Sequence, residues 1–284
     1  MFKRVIQGAV VGAAMFSLVG AATAADRHIN LYGASAQHLF WNDAAANFLN
    51  TKGCSSVARA QMDSKNGITR GLSCTAYGGD NIYIRYSSKA SFDGILAMKG
   101  DSSQAGSAEK CNEGDPGVPS GMAGYYRKMV DETSCNWTTP PDAPGSCSST
   151  KCVDVTLGAS DVAGESFTQS SSGQLKGPLG GGSVSRSFNG IDTTGLDHYN
   201  PLVVPFGFFV NKSVEKDGAV LQNITRLMAT MIFSGQAWYW TDFGANFSSN
   251  PIVACFRHAG SGTHATMVPH KNVWVEMGKN GLRA

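Results

Sequence analysis

Charge is scarce in this chain: 15% of its 284 residues are Asp, Glu, Lys or Arg, and the formal net charge is +2. No block of Lys and Arg is present, which excludes the basic footprint of a nucleic-acid binder. No apolar run reaches the roughly 20 uninterrupted residues of a membrane-spanning helix. No His-x-x-His or His-Glu-x-x-His spacing joins the scattered His38, His198, His258, His264 and His270, so nothing points to zinc. Paired Cys-x-x-Cys knuckles, a haem-attachment motif and internal repeats are also missing. The Gly-rich GPLGGGS lacks the Gly-Lys-Ser/Thr of a phosphate loop and reads as plain loop. No cofactor is expected.

Gly, Ser and Thr are abundant instead, and 42% of residues are apolar, enough for a core. Lys3 and Arg4 precede a small, apolar stretch from Val5 to Gly20, interrupted by Gln7 and glycines, and Ala22-Thr23-Ala24 has the form of a signal-peptidase site. Residues 1–24 therefore read as a cleaved secretory leader rather than an anchor, which places the mature chain in the periplasm or outside the cell. No cysteine at the cleavage point suggests a lipid anchor. The seven cysteines suit an oxidising compartment. Connectivity cannot be read from spacing. The shortest loops favour Cys54–Cys74, Cys111–Cys135 and Cys147–Cys152, leaving Cys255 alone, either as a buried thiol or with a partner outside the chain at hand.

Along the chain, INLYGAS reads as a strand ending in a tight turn, followed by an amphipathic helix over 36–49. NIYIRY alternates as a second strand, and a helix is expected from Ser91. Residues 101–151 are crowded with Gly, Ser, Pro and Cys and form an irregular insertion, with one helix over Gly121 to Asp131. CVDVTLGASD returns to a strand, LVVPFGFFV (202–210) reads as a buried strand, and Leu221 to Phe233 as an amphipathic helix. PIVACFR (251–257) is a last apolar strand. Trp238, Tyr239 and Trp240 fit core packing better than a sugar platform.

Four junctions carry small hydroxyl or amide residues: GASAQ, YSSKAS, ASDVAG and RHAGSGT. Any one of them is most simply a turn. Together they place backbone N–H groups and helix N-termini, which favour anions, at strand ends where open α/β sheets bind ligands.

From GASAQHLFW through LGASD to NITRLMATMIFSGQAWYWTDFG and NPIVACFRHAGSGT, the chain resembles the periplasmic phosphate-binding proteins of ABC phosphate transporters. The last two motifs, in order and at near-family spacing, are the specific part. The resemblance implies an α/β, two-lobed, hinged flytrap of the periplasmic-binding-protein type, monomeric, that carries inorganic phosphate to transporter membrane subunits. It implies a first lobe begun over 25–100, the insertion at 101–151, the end of that lobe over 152–198, and a second lobe over 199–284.

Carried over by position, Arg257 would pair with phosphate, and Ser261, Gly262 and Thr263 would donate hydrogen bonds. Asp161 would accept the ligand's proton and so reject sulfate, and Ser87, or failing it Ser88, would supply a hydroxyl. Gln37 stands where the family places threonine, and Ala259 where it places the aspartate that orients the arginine. The family continues well beyond the Gly-Ser-Gly-Thr loop, whereas only His264 to Ala284 complete the region here, so a flytrap incomplete at its C-terminus is expected. Two readings compete with the binding protein: a periplasmic phosphatase, and a surface or adhesive protein that reuses the fold.

Overall fold

A computed structural model describes residues 24–170, 174–177, 180–183, 188–201, 203, 205–233, 235–255 and 257–266. All of the expected leader but Ala24, and His270, lie outside the described residues.

The chain begins with β1 (Asp26–Ala34), a 3-10 turn at Ser35–Gln37, and α1 (His38–Thr51). The hairpin of β2 (Ser56–Asp63) and β3 (Asn66–Cys74) follows, then β4 (Asp80–Lys89) and α2 (Ser91–Met98). The hairpin had no counterpart in the sequence reading. Its tight turn is held by Asp63, whose Oδ1 accepts from the backbone N–H groups of Lys65 at 2.7 Å and Asn66 at 3.0 Å.

Residues beyond α2 form β5 (Tyr126–Val130), β6 (Gly145–Ser146) and β7 (Thr150–Asp154), after which β8 (Leu157–Ala159) rejoins the main sheet. Next come β9 (Gln174–Gly177), β10 (Gly180–Ser183), β11 (Glu215–Lys216), β12 (Ala219–Val220), α3 (Arg226–Phe233) and α4 (Gly262–Thr266). The architecture is mixed α/β. The main sheet has six strands in the order β6-β2-β3-β4-β1-β8. Strand β1 runs parallel to both β4 and β8, while β2, β3 and β4 form an antiparallel meander. The carboxyl ends of β4, β1 and β8 therefore open at one edge.

Side-chain alternation sorts the two faces of β4. Ile82, Ile84 and Tyr86 join Leu31 and Val57 beneath Ala45, Ala46 and Leu49 of α1. The opposite face carries Arg85 and meets the insertion, where Tyr32, Met129, Val153 and Val155 pack with Ala97 of α2. A separate core gathers Phe92, Ile95 and Leu96 of α2 with Phe167, Phe188, Met228, Ile232, Phe233 and Trp240. Phe92 and Phe188 stack there with centroids 4.3 Å apart.

Backbone approach fixes α2 on the sheet. A Cβ at Gly94 would stand 2.6 Å from the Ala159 carbonyl oxygen and 2.7 Å from that of Tyr32. Gly33, at φ +138°, would put one 2.1 Å from the same Ala159 oxygen. Only glycine permits this contact.

Several expectations are corrected. The disulfides are Cys54–Cys74, as read, but Cys111–Cys152 and Cys135–Cys147 replace the two remaining neighbour pairs. The ladder explains the exchange: Arg127 bridges Lys110 on one side and pairs with Val153 on the other, which brings Cys111 beside Cys152. Gly121 to Asp131 is not a helix but a 3-10 turn and β5, because its register with β7 satisfies the backbone. The single strand expected over 152–161 is two, broken at Val155-Thr156 where the chain passes from the β5–β7 pair to the main sheet. The Gly-rich stretch read as plain loop carries the antiparallel pair β9–β10.

The helix expected from Leu221 starts at Arg226, since the Thr225 hydroxyl caps it by accepting from Met228 N at 3.2 Å. The described residues of 202–210 have no regular structure, and Val203 and Phe209 are 92% and 99% exposed. Residues 251–257 form only a bridge from Pro251 to Tyr239 among those described. Trp240 is in the core as read, but Trp238 and Tyr239 are exposed.

Arg85 is the buried junction of this arrangement. Its Nε donates to Val130 O at 2.9 Å, and its Nη1 donates to Asn30 Oδ1 at 3.0 Å and to His28 Nδ1 at 2.9 Å. Its Nη2 pairs with Glu132, which also meets Lys151. A guanidinium only donates, so His28 must accept; burial, and then the Arg85 charge, push the imidazole pKa down and keep it neutral. Burial alone would raise the Glu132 carboxyl, but hydrogen bonds from Lys151 and Arg85 hold it at about 2.

A depressed carboxylate contributes stability above its ordinary range and loses it as pH falls toward the folded value. Glu132→Gln should therefore cost roughly 3 kcal/mol at pH 7, the low end for breaking a buried pair, because Glu132 keeps some solvent contact. The deficit should shrink as pH falls from about 4.5 toward 2, the interval between the two pKa values. Urea unfolding at pH 7 and pH 3 measures both; an equal deficit at the two values would remove Glu132 from this role.

Candidate functional site

The three parallel strand ends deliver their loops to one place. After β1, the 3-10 turn buries Gln37, whose Oε1 accepts from Trp41 Nε1 at 3.0 Å, one helical turn on. That bond orients the amide, and its Nε2 donates to Ser160 O at 2.8 Å and, at 3.4 Å, to Asp161 Oδ1. After β4 comes Ser91, the first residue of α2. Its Oγ accepts from Asp161 N at 3.1 Å and donates to Asp161 Oδ2 at 3.4 Å. The helix start is fixed by Asp93, whose Oδ2 accepts from Ala90 N at 3.1 Å.

Residues 257–266 dock onto this cluster. Gly260 O accepts from Phe92 N at 3.1 Å, using a backbone donor at the start of α2 that has no acceptor within the helix. Gly262 lies flush against the carboxylate. A Cβ there would meet Ser91 Oγ at 2.3 Å and Asp161 Cβ at 2.7 Å, so any larger residue forces the two segments apart. Ser261 is buried, with its N–H donated to His258 O at 3.0 Å and its carbonyl accepting from Ala265 N at 2.9 Å. Thr263 is half-buried in the first turn of α4. Arg257 is exposed, and its positive charge acts on Asp161.

The structure thus brings Gln37, Asp161, Gly262 and the field of Arg257 together, with Ser261 and Thr263 in the same loop. It does not bring Ser87. That residue lies opposite Tyr32 in the ladder, on the sheet face turned to the insertion. The alternative Ser88 has a buried hydroxyl without a hydrogen-bond partner. The serine on Asp161 is Ser91, the last residue of the YSSKAS junction, which was not among the residues carried over as ligands. The available signal was its place as first residue of a helix following a strand, where side chains face the carboxyl edge.

Burial raises the Asp161 pKa above the ordinary carboxylate value, against the opposing pull of the Gln37 and Ser91 hydrogen bonds and the Arg257 charge. The result is a half-sequestered carboxylate, oriented by an amide and a hydroxyl, beside a glycine backbone and one cation. Such a group suits proton exchange with a ligand rather than simple charge pairing. His264, buried at the back of α4, has its pKa pushed down by burial and by the neighbouring His258. Among the described residues, one group has metal-ligand spacing, Cys111, Asp115 and Cys152, but its two sulfurs are joined in a disulfide. No helix of the described residues is long and apolar enough to cross a membrane.

The chain matches no protein-family model, no curated protein and no solved structure.

The raised Asp161 pKa has a stability signature. The folded state keeps the proton more tightly than the unfolded chain, so stability is lost as pH rises out of the ordinary carboxylate range. Asp161→Asn, which keeps an acceptor for Gln37, should melt at higher temperature than wild type at pH 7 and near the wild-type temperature at pH 3. A Tm difference that does not change between these pH values would show that Asp161 is not the titrating group.

Proposed function

We propose that this protein binds phosphate, or another oxyanion that carries a proton at neutral pH, and that it delivers this ligand to the membrane subunits of an ABC-type transporter. The observation that carries the reading is the convergence of three strand-end loops and the 257–263 loop on Asp161. Ser91 replaces Ser87 as the hydroxyl of the site. In this reading the anion displaces part of the contact between Gly262 and Asp161. The backbone N–H groups of Gly262 and Thr263, the first of α4, donate to it, as does Ser91 Oγ. Arg257 swings in from solvent to supply the charge. Asp161 accepts the ligand's proton, and its lone pairs repel sulfate.

Two features support a two-lobed arrangement: the α1-side core of the main sheet is separate from the aromatic core around Phe92 and Trp240, and α2 joins that aromatic core through Phe92, Ile95 and Leu96 while its Ala97 packs on the insertion side of the sheet. Three disulfides fit the oxidising compartment that export to the periplasm would provide.

Isothermal titration of phosphate tests the reading. A charged hydrogen bond contributes about 1.5–3 kcal/mol, so Arg257→Ala should weaken binding by about tenfold or more. Arg257→Lys should recover only part of the loss, because it keeps the charge but not the planar fork. Ser261→Ala should cost less than Arg257→Ala, and Asp161→Asn should let sulfate compete. Equal phosphate affinity in wild type and Arg257→Ala would reduce the loop to a turn.

A further inference from the structure

The end of β4 carries a second cation that the site as built does not use. Lys89 is the last residue of the strand, opposite Ala34 in the parallel register and two residues before Ser91. Its Nζ lies 2.9 Å from Glu109 Oε1. The other carboxylate oxygen of Glu109 accepts from Tyr32 Oη at 3.2 Å, and Tyr32 is fully buried on β1. Glu109 belongs to the insertion, where its carbonyl accepts from Lys128 N of β5 at 2.9 Å. The insertion thus places one carboxylate on the carboxyl ends of two of the three strands that build the site.

Arg127 also feels the Glu109 charge but makes no ion pair with it among the described residues. Its guanidinium is 5.8 Å from the Tyr32 ring and donates to the carbonyls of Gly124, Tyr126 and Asp101 at 2.7–2.8 Å. Asp63, in the β2–β3 turn, also feels the Lys89 charge, but Glu109 holds the ion pair with it among the described residues. Lys89 and Glu109 are each about one-quarter exposed, so the pair sits at the rim rather than in the core.

We propose that Glu109 is an electrostatic mask on the anion site: it neutralises Lys89, and the insertion thereby sets the site's charge. This rests on the oxyanion reading above. With neighbouring strands about 4.8 Å apart, Lys89 stands roughly 10 Å from the end of β8, two strands away. A unit charge at that distance acts on a bound dianion with modest strength and is largely screened once the Debye length falls below the separation. The insertion therefore tunes affinity without touching the ligand.

The test is phosphate titration into the full chain at 20 mM and at 500 mM sodium chloride, with thermal melts to check folding. Glu109→Gln keeps an acceptor for Tyr32 and releases Lys89, so it should bind phosphate about two- to fivefold more tightly than wild type at low salt and equally at high salt. Lys89→Met should shift binding the other way by a similar factor, and it decides the matter if Glu109→Gln does not fold. The double variant should return to the wild-type value. If both single variants bind as wild type while Arg257→Ala binds at least tenfold more weakly, the mask is wrong and the oxyanion site stands. If Arg257→Ala also binds as wild type, the site reading fails and the mask fails with it.

Discussion

A guanidinium taken out of water must have its charge met inside the protein, and Arg85 is where this fold meets that constraint. A buried arginine without partners would cost several kcal/mol, more than most single interactions return. Its four acceptors come from β1 (His28 and Asn30) and from the insertion (Val130 and Glu132). The main sheet and the insertion are therefore not independent: whichever moved first would strand the charge. Such a bridge contributes less to net stability than its hydrogen bonds suggest, since desolvation offsets much of the gain. Its effect is on geometry. It fixes the face of β1 and β4 on which the insertion lies, and with it the approach of Glu109 to Lys89.

The opposite end of the same strands depends on the absence of side chains. Gly33, Gly94 and Gly158 let α2 lie on β1 and β8 at backbone distance, since a Cβ at any of them would fall within 3.0 Å of its neighbours. That approach sets the N-terminus of α2 level with the end of β8, so that Ser91 reaches Asp161 and Phe92 N reaches Gly260 O. Gly262 continues the pattern from the other segment. Four glycines thus concentrate polar groups around one carboxylate, at the entropic cost that glycine carries in an ordered element.

Much of this was legible in the residues. The alternation of NIYIRY, the apolar spacing of α1 and the start of α2 at Ser91 follow from local periodicity, and the structure has them there. What failed depends on partners far away in sequence. LVVPFGFFV has the apolar content of a buried strand, but a strand needs another edge to pair with, and composition does not say where that edge is. The same limit explains the disulfides: loop length favours near neighbours, whereas the β5–β7 register, a tertiary fact, joins Cys111 to Cys152. Motif position points to Ser87, or failing it Ser88, within YSSKAS and passes over Ser91 in the same stretch. The pleat turns Ser87 toward the insertion, and one residue of register decides the face on which a hydroxyl falls.

Asp161 presents the opposite problem to Arg85. Arg85 is satisfied by fixed acceptors, whereas Asp161 is held by two long hydrogen bonds at 3.4 Å and an exposed arginine, with burial opposing its charge. A carboxylate in that position gains from any partner that brings a proton to it. On the proposed reading, an oxyanion with an acidic proton would do so while its remaining charge is met by Arg257 and backbone N–H groups. A fully deprotonated anion brings only repulsion. Selection by protonation state, as proposed, would need no further contact: it would follow from placing an incompletely satisfied carboxylate beside donors that favour anions. Under that proposal, the weakness of the bonds to Asp161 is what would leave it free to discriminate, and a tighter cage of donors would abolish the preference.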